Sequence, residues 1–251
     1  MMVSTTKNKI IQSIKYPIAA LFCLAVWDIG ALIVSNSYFL PSVKETLAAL
    51  LELIVSDGFF LLILNSLLRV AVGLTVGIVL GVLLATLCTV FPISEAIISP
   101  IISIMKATPI ATIVLILWFT FTDFSLAIFV VILMVTPIIW QNVYDGFKAV
   151  PTDLTEVCSA FEVSSAKKLT LLIIPSVLHY LIPAIITSIG LAWKAEIAAE
   201  IMTYSNIGRS IQDYKSLFYD TASVFAWAVV IVTLSLILEN LTKHFLRRIE
   251  I

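Results

Sequence analysis

The chain has 251 residues, of which 61% are hydrophobic and 12% charged, with a net charge of −1 and a mean hydropathy of +1.10. Soluble domains carry roughly 45–50% apolar and about 25% charged residues, so this excess excludes an ordinary water-soluble fold and marks an integral membrane protein. Net charge says nothing of partners, because the charges are segregated along the chain. Cys23, Cys88 and Cys158 stand apart, with no CxxC or Cys/His cluster, which argues against a disulfide or zinc framework.

A span needs about 20 mostly apolar residues to cross roughly 30 Å of hydrocarbon, and its backbone must bond internally, so helices are expected. The sequence predicts an all-α fold with about six spans. A segment over 1–16, with Lys7, Lys9 and Lys15, leads into span 1 at 17–34. That run is too long for a signal peptide and lacks a small-x-small cleavage site, so it reads as a retained span. Span 2 is expected near 70–91 with an apolar lead-in from Phe59, and span 3 near 97–119, interrupted by Pro100 and Pro109. Spans 4, 5 and 6 are expected near 126–144, 178–202 and 222–241, and a tail covers 246–251. No internal repeat or linker divides the chain, so 17–245 reads as one transmembrane domain with a polar loop at 145–175.

The basic residues orient these spans. Lys7, Lys9 and Lys15, then Lys148, Lys167 and Lys168, then Lys243, Arg247 and Arg248 fall on one side of an even span count. Lys44, Arg209 and Lys215 fall on the other. The positive-inside rule places both termini and the 145–175 loop in the cytoplasm of a multi-pass cell-membrane protein.

Within span 2, Gly73, Gly77 and Gly81 stack on one helix face and let another helix approach closely, either inside the monomer or across a dimer. Arg69 just before them is expected to snorkel to the outer interface. In span 3, Lys106 lies one turn from Thr108 and Pro109. A lysine there needs water, protein or the interface around it, and the proline kinks the helix. These two are candidates for a cavity or gate; the alternative is a boundary lysine beside a structural kink. In span 5, Lys194, Glu196 and Glu200 sit inside an apolar helix. Three readings stay open for them: pathway lining, a buried ion pair, or exposure at the outer mouth. Asp28 and Glu239 lie near span ends and read as interfacial. His179, beside Tyr180, reads as structural.

The polar loop from Asp153 to Pro175 reads as helix, turn, helix. Thr152 and Asp153 are cap-type residues, with Glu156 placed for a capping box. Leu154, Val157, Cys158 and Phe161 make an apolar stripe at helical spacing, Ser164 and Ser165 mark a turn, and a second helix runs from near Ala166 to Pro175. So large a polar insert between spans is expected where a soluble partner grips the protein. An interfacial helix lying on the membrane is the alternative. No phosphate loop, GxSxG or HExxH occurs, so catalysis is not expected in this chain.

The loop resembles the cytoplasmic motif of binding-protein-dependent ABC importer permeases, in which Glu-Ala-Ala is followed after three residues by Gly and, after nine more, by Ile-x-Leu-Pro. Here Glu156-Val157-Cys158 opens it, Glu162 stands at the glycine position, and Leu172-Ile173-Ile174-Pro175 closes it. The departures are Val157, Cys158 and, above all, Glu162, because glycine there can adopt a left-handed backbone. Phe39-Leu40-Pro41-Ser42, Ser66-Leu67-Leu68-Arg69, Pro109 with Ala111, Leu117-Trp118-Phe119 and Gly190-Leu191-Ala192-Trp193 look like the nitrate/sulfonate/taurine-type group. This resemblance spans roughly 38–245. It implies a type I importer permease fold and a homodimer of permeases. It also implies two cytoplasmic ATPase subunits that bind ATP and Mg, and an extracytoplasmic substrate-binding protein. This chain itself is expected to hold no cofactor or metal, to have no catalytic residue and to bind no nucleic acid. The coupling residues implied are Asp153, Glu156, Val157, Cys158, Ala160, Phe161, Glu162 and Pro175; the pathway or gate candidates remain Lys106, Pro109, Lys194, Glu196 and Glu200. The substrate expected is a sulfonate- or nitrate-like anion or a vitamin-precursor-like molecule. The rival reading is a self-sufficient channel or ion-coupled transporter built on Lys194, Glu196 and Glu200.

Overall fold

A computed structural model describes residues 2–246, with side chains described from Pro17 onward except that of Asp123. Lys7, Lys9 and Lys15 lie outside the described side chains, and Arg247, Arg248 and the end of the 246–251 tail lie outside the described residues. Among the described residues the chain is wholly helical. The helices are α1 (Met2–Val34), α2 (Val43–Val55), α3 (Phe59–Val90), α4 (Pro92–Ala107), α5 (Ile110–Trp118) and α6 (Asp123–Lys148). There follow α7 (Thr152–Ala160), α8 (Ser165–Lys168), a π-helical stretch (Leu169–Ile173), α9 (Ile174–Thr203), α10 (Asn206–Ser216) and α11 (Thr221–Leu246). Among the described residues five helical stretches are long and apolar enough to cross a membrane: Pro17–Val34, Phe59–Val90, Phe124–Lys148, Ser165–Thr203 and Thr221–Leu246. The pair α4 and α5 makes a sixth if taken as one span bent by 99°.

That bend sits at Thr108–Pro109, while Pro100 lies inside α4 without ending it. A residue before proline is driven out of the α region. Thr108 accordingly caps α4 in an extended conformation (φ −80°, ψ 125°), and Pro109 becomes the N-cap of α5. Span 3 is therefore two short helices rather than one kinked one. A second difference concerns Pro175, which was expected to stop a helix. Instead α8 runs through the π-helical stretch into α9. The Ile174 amide donates to the Leu169 carbonyl, an i→i−5 bond. A π turn already shifts the donor register, so a proline lacking its N–H at the start of α9 leaves the helix continuous.

The chain divides into two compact units: residues up to Phe59 with Ile211–Ile231, and Phe60–Ser210 with the residues from Val232 on. In the first, the Trp27 indole donates to the Pro41 carbonyl (3.0 Å), and Asp28 accepts the Val43 amide (2.9 Å) at the start of α2. Ser42 and Glu45 form a full capping box on α2. Phe59 and Trp227 pack with ring centroids 5.4 Å apart.

The second unit holds the principal core, where α6 and α9 pack extensively against each other and α5 closes one side. Ile113, Val114, Leu126, Ala127, Val130, Ala195 and Ala199 form one buried apolar cluster. Gly73, Gly77 and Gly81 of α3 lie against Val131, Val135 and Ile139 of α6. A methyl group on any of these glycines would meet the facing side chain at 2.7–2.9 Å. Two rows of four-residue spacing thus interlock inside one chain. Fixed helices and fixed register then place the charged side chains described next.

Candidate functional site

Three groups of polar residues stand out in this apolar chain. The first is the hairpin after α6. Pro151, not an Asp or Thr side chain, is the N-cap of α7, and no side-chain cap bond forms. The capping box expected from Asp153 and Glu156 is therefore absent. Proline's fixed φ (−61°, with ψ 125°) delivers the extended entry by itself, and Thr152 falls inside the helix. After Ala160 the Val163 amide donates to Cys158 O (2.9 Å) and the Glu162 amide to Ser159 O (3.2 Å). That is the paired bonding of a Schellman turn, which requires a left-handed residue after the cap. Glu162 supplies it, at φ +52°. The turn keeps its geometry although glycine is missing, at a strain of about 1–2 kcal/mol.

None of α7 is buried. Asp153, Glu156, Ala160, Glu162 and Pro175 are exposed, and Cys158 is half-buried. Leu154, Val157 and Phe161 remain 48%, 50% and 79% exposed. They form an apolar stripe that the described residues leave uncovered. Just before the hairpin, Lys148 bonds Glu95 of α4 (3.4 Å) and lies 4.1 Å from the Tyr144 ring.

The second group is a closed network near the end of α9. Glu200 is fully buried. Its Oε1 accepts from Arg69 Nη1 (3.0 Å), Ser66 Oγ (2.9 Å) and Asn206 Nδ2 (3.0 Å), and its Oε2 from the Ile207 amide (3.1 Å). Arg69 is 8% exposed and lies 5.1 Å from the centroid of the Phe124 ring. It does not snorkel to an interface. A buried carboxylate one helix away gives a guanidinium a stronger partner than the headgroup region does. The backbone is shaped to the same end: Tyr204 and Asn206 take φ of +56° and +45°. Any side chain on Gly208 would collide with the Glu200 backbone. Glu200 is thus in a buried ion pair, with Arg69 rather than Lys194 as partner. Glu196, one turn earlier, is equally buried, and among the described residues neither of its carboxylate oxygens has a hydrogen-bond partner.

The third group lies on another face of α9. Lys194 is exposed, and with Ile186, Thr187, Gly190 and Leu191 it lines a groove of about 380 Å³ shared with Glu239 and Lys243 of α11. Glu239 pairs with Lys243 (3.6 Å) and rests on Gly190, where a side chain would displace it. Glu239 thus has Lys243 as a partner on its own helix. Lys106 and Pro109 are both exposed at the bend between α4 and α5. The structure brings Glu196, Glu200 and Arg69 into one neighbourhood and leaves Lys106 and Lys194 out of it. Ser66, Arg69 and Asn206 were missed as site residues. Their available signal was a lone arginine in an apolar helix, which calls for an intramembrane carboxylate.

Residues 77–251 match the family described as "Binding-protein-dependent transport system inner membrane component". The chain belongs to this family. It is 28% identical over 231 residues to a candidate aliphatic sulfonates transport permease, SsuC of Bacillus subtilis, covering 90% of this chain and 82% of that protein. It is 31% identical over 155 residues to the bicarbonate transport system permease CmpB of Synechocystis, covering 61% and 55%. Identity to the nitrate import permease NrtB of Synechococcus elongatus is 30% over 149 residues, covering 59% and 53%. The matched stretch thus spans little more than half of the latter two relatives.

In fold, the permease is similar to an amino acid ABC transporter crystallised with histidines (TM-score 0.61, 16% identity, 74% of this chain and 89% of that one). It is also similar to the inward-facing MetNI methionine ABC transporter (TM-score 0.62, 16% identity, 77% and 99%). The chain is therefore an all-helical, multi-pass inner-membrane permease of an ABC importer with the type I permease fold. This membership favours an importer subunit over a self-sufficient channel or ion-coupled transporter.

Proposed function

We propose that this permease imports a small oxyanion and takes its drive from a cytoplasmic ATPase that grips α7. The relatives named above are described as carrying aliphatic sulfonates, bicarbonate and nitrate, and each of these is an oxyanion. That shared chemistry is the observation that carries the substrate class. For the coupling half of the proposal, the support is the exposed stripe of Leu154, Val157 and Phe161 on a helix that buries nothing of its own. An amphipathic helix of this kind is suited to a groove, with the apolar side chains as anchors. Glu156 and Glu162 flank the stripe and would meet basic residues on the groove's rim.

In this reading the termini and the 145–175 loop are cytoplasmic, and the transmembrane domain is 17–245. Two copies of the chain pair with two ATPase subunits that hold ATP and Mg, while a substrate-binding protein delivers the solute from outside. Closure of the ATPases on ATP favours one of two permease conformations and so drives alternation. Lys106 and Pro109, at the bend, are the proposed gate. Lys194, Glu196 and Glu200 make a second level: Lys194 faces the pathway, and the Glu200 network fixes the outer end of α9. The ion pair Lys148–Glu95 ties the last turn of α6, which leads into α7, to α4 of that bend.

The test is uptake of ethanesulfonate, nitrate and bicarbonate by the importer reconstituted with its ATPase and binding protein. ATP-dependent uptake of at least one is expected, and Glu156→Lys or Phe161→Ala should abolish it while ATPase activity runs uncoupled. Uptake that survives ATP depletion and collapses with the proton gradient would instead show an ion-coupled transporter.

A further inference from the structure

The groove between α9 and α11 has a charge balance that its surroundings do not explain. It lies within two apolar helices, each long enough to cross the membrane. Its lining carries two lysines, Lys194 and Lys243, and one carboxylate, Glu239. Glu239 is already engaged with Lys243, four residues on along α11. Among the described residues Lys194 has no carboxylate within ion-pair distance, yet its side chain is exposed. It sits nine residues before the end of α9, well inside the helix and away from either end. An ammonium facing hydrocarbon there costs several kcal/mol, so the groove must hold water or a compensating anion. Gly190 gives a second sign of construction: it is buried, and only hydrogen at that position lets the Glu239 carboxylate lie on the α9 backbone. With Glu239 paired to Lys243, the Lys194 ammonium is the uncompensated charge of the groove among the described residues.

We propose that this groove is an oxyanion-binding site, with Lys194 as the principal ligand and Lys243 as a second cation released from Glu239 when the anion enters. The ligand is a compact group with several acceptor oxygens, such as a sulfonate, nitrate, bicarbonate or phosphate. Two ammonium groups on neighbouring helices present rotatable donors to it, and the apolar walls of Ile186 and Leu191 strengthen the contact by excluding water. The same chemistry is offered by a solute in transit and by the headgroup of an anionic phospholipid. The first source rests on the importer reading above; the second does not.

The complete importer in phosphatidylcholine nanodiscs is treated with an amine-acylating reagent, and modification of Lys194 is read by mass spectrometry. Ethanesulfonate, nitrate or bicarbonate at millimolar concentration is expected to protect Lys194, while lysines outside the groove label unchanged. Protection by phosphatidylglycerol in the nanodisc, without protection by any soluble anion, assigns the site to a lipid headgroup. Equal labelling under every condition overturns the proposal. So does a Lys194 that never labels, since the assembled importer then covers it. Lys194→Met should raise the KM for uptake about tenfold or more, the loss of one charge-assisted hydrogen bond, and Lys194→Arg should restore most of it. Absence of ATP-dependent uptake by the wild-type importer would count against the importer reading and leave the labelling result standing.

Discussion

The end of α9 and the α7–α8 hairpin are both polar islands in an apolar chain, and they treat their polar groups in opposite ways. At Glu200 every exchange is internal. A serine, an arginine, an asparagine and a backbone amide converge on one carboxylate, and neighbouring backbone takes left-handed turns to let them. In the hairpin nothing is buried, and the apolar side chains point away from any core. A membrane protein has to satisfy polar groups that lie in lipid. It has no reason to keep large apolar side chains uncovered in water unless something else covers them. On the proposal above, the first region is structure and the second an interface.

Variants test this contrast most sharply through stability, in descending size of effect. Arg69→Ala or Glu200→Ala leaves a buried charge unpaired and should destabilise the purified permease by about 3–5 kcal/mol. Thermal unfolding in detergent would show it, and Arg69→Met with Glu200→Leu should recover most of the loss. A neutral outcome for both single variants would make the network dispensable. Gly81→Val forces Cβ to within 2.7 Å of Ile139 and should cost about 1–3 kcal/mol through overpacking, visible in the same assay.

In the hairpin the changes should be small or of opposite sign. Glu162→Gly removes left-handed strain and should slow amide exchange of Glu162 and Val163 by an amount equivalent to about 1 kcal/mol. Phe161→Ala should alter unfolding by no more than about 0.5 kcal/mol, because the side chain is already in solvent. The smallest effect concerns Glu45. The Ser42 amide, then the Ser37 and Ser42 hydroxyls, hold its carboxyl below the usual glutamate range. Its support of α2 is therefore present above the unfolded-state pKa and is lost as pH falls through the lowered folded-state pKa. Glu45→Gln should speed amide exchange at the start of α2 at neutral pH, and that difference should vanish in acid.

The spans were legible in the sequence because about 20 apolar residues in a row admit few alternatives. The hairpin was legible because polar, helix-periodic sequence between spans is unusual. What escaped depends on long-range placement or on backbone detail. Arg69 and Glu200 are 131 positions apart, and nothing in either segment names the other. The helix α10 (Asn206–Ser216), strongly polar and only 11 residues long, gave no span signal. Pro175 looked like a stop because a local rule cannot foresee the π turn that absorbs it. Pro109 was marked as an interruption, but the 99° size of the bend follows from Thr108 leaving the helical region ahead of it.

The central claim is that a soluble ATPase covers the α7 stripe. The most direct measurement is affinity purification of the full chain from its native membrane in mild detergent, with the co-purifying proteins identified and quantified. The account predicts a stoichiometric phosphate-loop ATPase, lost from Glu156→Lys and Phe161→Ala preparations whose unfolding temperature is unchanged. Recovery of the folded chain with no ATPase, or an ATPase retained at full stoichiometry by both variants, would contradict it.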